Sequence, residues 1–186
     1  AENAVIGMLD SSDGLQITTE VQRNNGFLEG FGIDPVDNTI IGDETDPRIA
    51  GNAASDGNQE LGRTAMENLL AQTPDINLVY TINEPAAAGA YEAIQALDMQ
   101  DDVLIVSVDG GCPGVQNVAD GIIGATSMQF PLRMAEQGVE AAASGELPVT
   151  SEGLPFTNTG VALITDNPVE GVESFDTAWG LENCWG

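Results

Sequence analysis

At 186 residues and 42% hydrophobic, the chain can bury one respectable core with a small appendage, so one domain is expected. Thirty acidic residues face only four basic ones, Arg23, Arg48, Arg63 and Arg133, and the net charge of -26 excludes nucleic acid and anionic membranes as partners. With no histidine or lysine, the usual general base, the nucleophile's partner and the phosphate-loop and Schiff-base lysines are all missing, so the chain is not expected to be an enzyme.

The acids are scattered between periodic apolar runs, which predicts a folded chain with a carboxylate surface and not an acidic disordered tail. Absence of lysine fits a protein kept soluble in high salt, where a Debye length of roughly 3 Å at 1 M suppresses self-repulsion. Cys112 and Cys184 have no histidine and no Cys-x-x-Cys neighbour, so a metal site is not expected. They either pair in an oxidising compartment, which is the expectation, or stand as two unrelated thiols. No signal peptide or membrane-length apolar run is present, so an exported chain would already be processed.

In chain order, Ala4–Leu9 reads as a strand closed by the turn Asp10-Ser11-Ser12-Asp13-Gly14. Helical spacing runs from Leu15 to Phe31 through Ile17, Val21 and Leu28, with Gly32 as the stop. Thr39–Ile41 is taken as a short second strand, followed by an acidic loop and a small-residue stretch to Gly57. Asn58–Leu70 predicts a second helix with Leu61, Ala65 and Leu69 inward, and Asn77–Thr81 a third strand. Pro85 suits a first helical turn, and Ala86–Leu97 predicts a helix with Ala87, Tyr91 and Ile94 inward.

Val103–Val108, almost wholly apolar and β-branched, predicts a central strand buried on both faces, ended by Asp109-Gly110-Gly111-Cys112-Pro113-Gly114. A short helix over Pro113–Ala119, a strand over Ile122–Thr126, a helix over Pro131–Ala143, a loop over Gly145–Thr159 and a strand over Val161–Thr165 follow. Beyond Asn167 no periodicity is clear. This alternation predicts an α/β fold, a doubly wound and mainly parallel sheet with helices on both faces.

Polar groups fall at the carboxyl ends of three predicted strands: Asp10 with Ser11 and Ser12, Asn83 with Glu84, and Asp109. In open α/β sheets these ends border the ligand crevice. Asp109 can serve there, or can simply form a turn by bonding the backbone two residues on. An amide, a carboxylate and an arginine fork together match vicinal hydroxyls better than a phosphate. Asp13, Gly14 and Glu20 suggest half a calcium loop, but Leu9 stands in the first ligand position.

Thr81–Ala90, Val106–Gly114 and Ala125–Pro131, in this order and spacing, resemble the second lobe of type 1 periplasmic sugar-binding proteins of the ribose group. The closing Cys184-Trp185-Gly186 resembles a fructose-type subgroup of that family. The resemblance implies a lobe of an extracytoplasmic receptor delivering a monosaccharide of the fructose or ribose class to the membrane component of an ABC importer. It implies a periplasmic or extracellular location and no cofactor. The ligand-binding residues carried over are Arg23, Asn83, Asp109 and Gln129, with Asp10, Ser11, Asp56 and Asn58 as further candidates; the family's aromatic before the second helix falls near Gly57.

Residues 1–127 would form the ligand-binding lobe, 128–159 a crossover segment and helix toward an N-terminal lobe outside this sequence, and 160–186 a final strand and disulfide-tethered tail. The alternatives are the effector domain of a lactose-repressor-type regulator, against which the cysteine pair and the charge argue, and a chemotaxis sugar receptor. The composition predicts that the melting temperature rises steeply between about 0.1 and 2 M salt as carboxylate repulsion is screened; a flat profile removes the high-salt reading.

Overall fold

The computed structural model describes residues 2–12, 15–146 and 157–186. Its elements in order are β1 (Ile6–Asp10), α1 (Thr18–Phe31), β2 (Ile49–Ala54), α2 (Gln59–Gln72), β3 (Leu78–Thr81), α3 (Glu84–Gln95), β4 (Leu104–Asp109), α4 (Cys112–Ala119), β5 (Ala125–Met128), α5 (Pro131–Ser144), β6 (Ala162–Ile164) and α6 (Thr177–Asn183). The strands form one sheet in the order β2-β1-β3-β4-β5-β6. All neighbours are parallel except β5 and β6, which pair antiparallel with Ser127 opposite Leu163.

Alternation along the strands divides the core between the two faces. Leu9, Val79 and Ile105 pack with α2, α3 and Val118 of α4. Ile6, Met8, Leu78, Tyr80, Val106 and Val108 turn the other way, toward Phe27, Leu28 and Phe31 of α1. A third cluster, Val115, Met128, Ala162 and Ile164, is closed by Phe175 and Trp179, whose rings stack at 4.1 Å. The α/β sheet expected from the alternation of elements is therefore present, with helices on both faces. Among the described residues no helix is long and apolar enough to cross a membrane.

The second strand lies elsewhere than expected. Thr39–Ile41 is a turn, in which the Asp37 carboxylate accepts from the Thr39 N–H at 2.9 Å and the Thr39 hydroxyl at 2.7 Å. The edge strand is Ile49–Ala54, paired with β1 from Ile6 opposite Ile49 to Asp10 opposite Ala54. Its small residues have low strand propensity, but smallness is what the site needs: a Cβ on Gly51 would stand 3.2 Å from Leu69 of α2. Leu61, expected inward, is 42% exposed, because α2 presents Gly62, Ala65, Met66, Leu69 and Leu70 to the core.

Helix α6 was not expected, since seven residues are too few to show a period; it is set by Asp176, whose carboxylate accepts from the Trp179 N–H at 2.8 Å. α5 spans the expected helix yet buries none of its residues, with Leu132 81% and Val139 70% exposed. The loop expected over Gly145–Thr159 lies mostly outside the described residues, as do Asp13 and Gly14.

Two glycines let α2 and α3 approach closely. A Cβ on Gly62 would stand 2.7 Å from the Ala86 carbonyl oxygen, and one on Gly89 would stand 2.0 Å from that of Gln59. Gly89→Ala should cost at least about 2 kcal/mol by overpacking against backbone. Gly138→Ala on α5, where a Cβ meets nothing within 4 Å, should be neutral or stabilising by up to about 1 kcal/mol. Urea denaturation midpoints check both, and equal midpoints for the two variants would contradict this packing.

Candidate functional site

The parallel strands bring their carboxyl ends to one edge of the sheet, the edge at which such sheets bind ligands. The strand order β2-β1-β3-β4-β5 lays out Asp56, Asp10 with Ser11, Asn83, Asp109 and Gln129 in turn along that edge.

Three of the four principal candidates meet. Arg23, on α1, donates from Nη2 to Asp109 Oδ1 at 3.0 Å, and Gln129, just past β5, donates from Nε2 to the same oxygen at 2.9 Å. The second arm of the Arg23 fork, Nη1, donates to the Ile82 carbonyl at 2.9 Å, which fixes the guanidinium plane. The Asp109 carboxylate is not bonded to the turn after it, so the turn-forming alternative does not describe this residue. Burial pushes its carboxyl above the ordinary carboxylate range, opposed by the charge and hydrogen bond of Arg23, by Gln129 and by the Glu84 N–H.

Asn83 is engaged otherwise. It caps α3 by accepting from the Ala86 N–H at 3.1 Å, and its Nδ2 donates to the Gly57 carbonyl at 2.8 Å. One amide hydrogen and one lone pair remain for a ligand. Gly57, near which an aromatic would stand in the ribose group, has φ 63°, and a Cβ there would lie 2.8 Å from Asn83 Nδ2.

The further candidates divide in the same way. Asp10 is buried and accepts from Asn24 Nδ2 at 2.9 Å. The backbone N–H of Ser11 donates to Glu20, and the Ser11 carbonyl accepts from the Asp56 N–H at 2.8 Å. Asp56 is an exposed residue at φ 52°, and Asn58 caps α2 by accepting from the Leu61 N–H at 2.9 Å. These four shape the β1 and β2 end of the edge, and only Asp56 and Asn58 stand exposed there.

Two carboxylates that order this edge are not among the ligand-binding residues expected from sequence, although Glu84 falls at a strand end and Glu20 in half a calcium loop. Glu20, whose calcium-loop partners lie outside the described residues, holds the turn after β1 through the N–H groups of Ser11 and Ser12. Glu84 is buried and accepts from the Gly110 N–H at 2.8 Å, the Gly111 N–H at 3.0 Å and the Thr126 hydroxyl at 2.7 Å. It thereby takes the N–H groups that follow Asp109. The available signal was the pattern itself: an acid in the first turn of a helix at a strand end, facing a Gly-Gly turn across the crevice.

The expected cysteine pair is present, with Cys112 and Cys184 bonded at a Cα–Cα distance of 4.9 Å. Among the described residues no group of three acids or cysteines could hold a metal. A cavity of about 1060 Å³ opens beneath Arg23 and Gln129, between α1, the strands and α5. Phe27, Phe31, Val106 and Val108 form the apolar part of its wall, and Arg23 and Gln129 themselves line it, so the cavity adjoins the polar edge.

Glu84 is also displaced upward, first by burial and further by the Asp109 charge, against the three hydrogen bonds it accepts. A buried carboxyl with a raised pKa holds its proton in the folded state where the unfolded chain has lost it. Stability therefore falls as pH rises from the ordinary carboxylate value, about 4, through the raised one. The chain should melt higher at pH 5 than at pH 7, and Glu84→Gln should lose part of that gain while costing about 1–3 kcal/mol at pH 7, because an amide cannot accept from all three donors. Thermal melts at the two pH values check this; wild type melting lower at pH 5 would contradict the assignment.

This geometry has relatives. The ribose import binding protein of Escherichia coli K12 is 38% identical over 81 residues, 44% of this chain and 27% of that protein. A Mycobacterium smegmatis structure in complex with β-D-fucofuranose superposes with a TM-score of 0.65 at 24% identity, over 97% of this chain and 52% of that one. An Agrobacterium vitis ABC transporter solute-binding protein with bound D-fucose gives a TM-score of 0.68 at 21% identity, over 97% of this chain and 55% of that one. The chain thus spans about half the length of these structures, and they show the same fold. The sequence profile described as periplasmic binding protein domain matches residues 4–144, most of the chain, and the chain belongs to that family.

Proposed function

We propose that this chain is the sugar-binding lobe of an exported solute-binding protein that delivers a monosaccharide to an ABC importer. The observation that carries the reading is the convergence of Arg23, Asp109 and Gln129, from α1, β4 and the end of β5, at the ligand edge of a sheet whose family is that of periplasmic binding proteins. A carboxylate oriented by a guanidinium and an amide suits adjacent hydroxyls: the acid accepts, and the two donors supply the complementary direction. The ribose import protein and the D-fucose-bound solute-binding protein among the relatives support a pentose or hexose ligand. The disulfide and the charge of -26 weigh against a cytosolic DNA-bound regulator and suit an exported protein.

In this reading residues 1–127 and 160–186 make the lobe, and 128–159 run toward a second lobe. The apolar residues of α5 that stay exposed support it, since a face of that kind needs a partner. Asn83, Asp56 and Asn58 would border the sugar, with Asn83 offering what its capping role leaves over, and Asp10 and Ser11 would shape the turn behind them.

One wall of a site that should close around its ligand leaves the sugar wet, and four net hydrogen bonds of about 1 kcal/mol each at most match the cost of association. Titration calorimetry of this chain with ribose, fructose and glucose should therefore show millimolar binding or none. The protein carrying both lobes should bind one of them tightly, and Asp109→Ala there should cost at least about 1.5 kcal/mol, more than tenfold in Kd. Micromolar binding by this chain alone would show a complete site in these residues; no binding by the two-lobed protein, or an unaffected Asp109→Ala, overturns the proposal.

A further inference from the structure

We infer that Trp185, held in place by the Cys112–Cys184 disulfide, is a positioning residue for the Asp109 carboxylate and so for the sugar contact; this rests on the function proposed above. Asp109 has φ 143°, a backbone conformation that residues with a side chain rarely adopt, and Gly110 follows at φ 73°. Such a conformation persists only where its surroundings impose it. Here they act on both ends of the Asp109–Gly110 peptide. On the nitrogen side, the Gly110 N–H donates to Glu84. On the oxygen side, the Asp109 carbonyl accepts from the Gln129 backbone N–H at 2.9 Å and from the Trp185 indole Nε1–H at 3.1 Å.

The indole reaches that carbonyl because its own backbone is pinned. Gly111 bridges Trp185 in parallel, and the Cys112 N–H donates to the Trp185 carbonyl at 3.0 Å. One residue earlier the chain is bonded through Cys184 to Cys112, and before that α6 packs Gly180 where an added Cβ would lie 2.8 Å from Val115 of α4. The disulfide therefore closes a small ring that begins and ends at the turn carrying Asp109. Loss of the indole N–H leaves the carbonyl with Gln129 alone and lets the peptide plane rotate. The turn then shifts at the Asp109 Cα, and the Asp109 Oδ1 that Arg23 and Gln129 share moves out of their common reach.

The experiment compares wild type, Trp185→Phe, and Cys112→Ser/Cys184→Ser in the full-length protein. Trp185→Phe keeps the ring and removes only the donor, so it separates positioning from packing. It should raise the sugar Kd about fivefold, the value of one net hydrogen bond, while shifting the melting temperature by less than about 4 °C. The serine pair should weaken binding at least as much. In an Asp109→Ala background Trp185→Phe should add nothing, because it acts through Asp109; additive losses would indicate a general structural role and overturn the inference, as would unchanged binding in Trp185→Phe. If the wild-type protein binds no sugar, the proposed function fails and the inference is read instead from the Asp109 side-chain carboxyl resonance. Its displacement in Trp185→Phe supports positioning, and an unmoved resonance rejects it.

Discussion

The candidate ligand edge depends on one buried carboxylate, Glu84. Glu84 opens α3, and its side chain reaches the turn after the neighbouring strand β4 and Thr126 on β5, accepting from two consecutive N–H groups and a hydroxyl. A Gly-Gly turn has donors that no strand or helix satisfies, and burying them without acceptors is costly. A carboxylate offers enough lone pairs for all three donors; an amide would set its own hydrogens against them. The neighbours are shaped to admit it. A Cβ on Gly114 would fall 1.8 Å from the Glu84 carboxyl carbon, and one on Gly110 would fall 2.3 Å from Met128.

From that anchor the arrangement of Asp109 follows. With the Gly110 and Gly111 donors taken, the Asp109 carboxylate is left for Arg23 and Gln129, and its backbone is held at a positive φ. The three side chains come from elements separated by 86 and 20 residues in sequence, on a helix, a strand end and the chain leaving the next strand. Groups held from three rigid elements stay in register more strictly than groups on one loop, which is what hydroxyl recognition in water requires. The third arginine-like demand, orientation of the guanidinium, is met by the Ile82 carbonyl at the end of β3.

Stability is distributed unevenly. The two sheet faces and the cluster under Phe175 and Trp179 hold the molecule together, and α5 adds no buried side chain. Met134 and Ala141 of this helix line the cavity that Arg23 and Gln129 also border, so a helix with no buried side chain stands beside an open apolar surface.

Much of this was legible in the sequence because it is local. β1, β3, β4 and the helices between them follow from apolar runs, helical spacing, Pro85 and the glycine stops, and their alternation alone implies a parallel sheet with its ligand edge at the strand ends. Asp109 is marked as a candidate site residue by its place after a buried strand. What sequence could not supply depends on contacts between distant segments. The Ile49–Ala54 strand is invisible to propensity because its residues are small, Gly51 being held to that size by the overlying Leu69, while Thr39–Ile41, with better strand residues, is taken by the Asp37 carboxylate into a turn. The bond from Asn83 to the Gly57 carbonyl, the reach of Glu84 to Gly110 and the bond from Trp185 to the Asp109 carbonyl span from 26 to 76 residues in sequence. Composition and period register what a segment prefers by itself; which donors a side chain finally meets is decided only when the sheet order has brought the strand ends together.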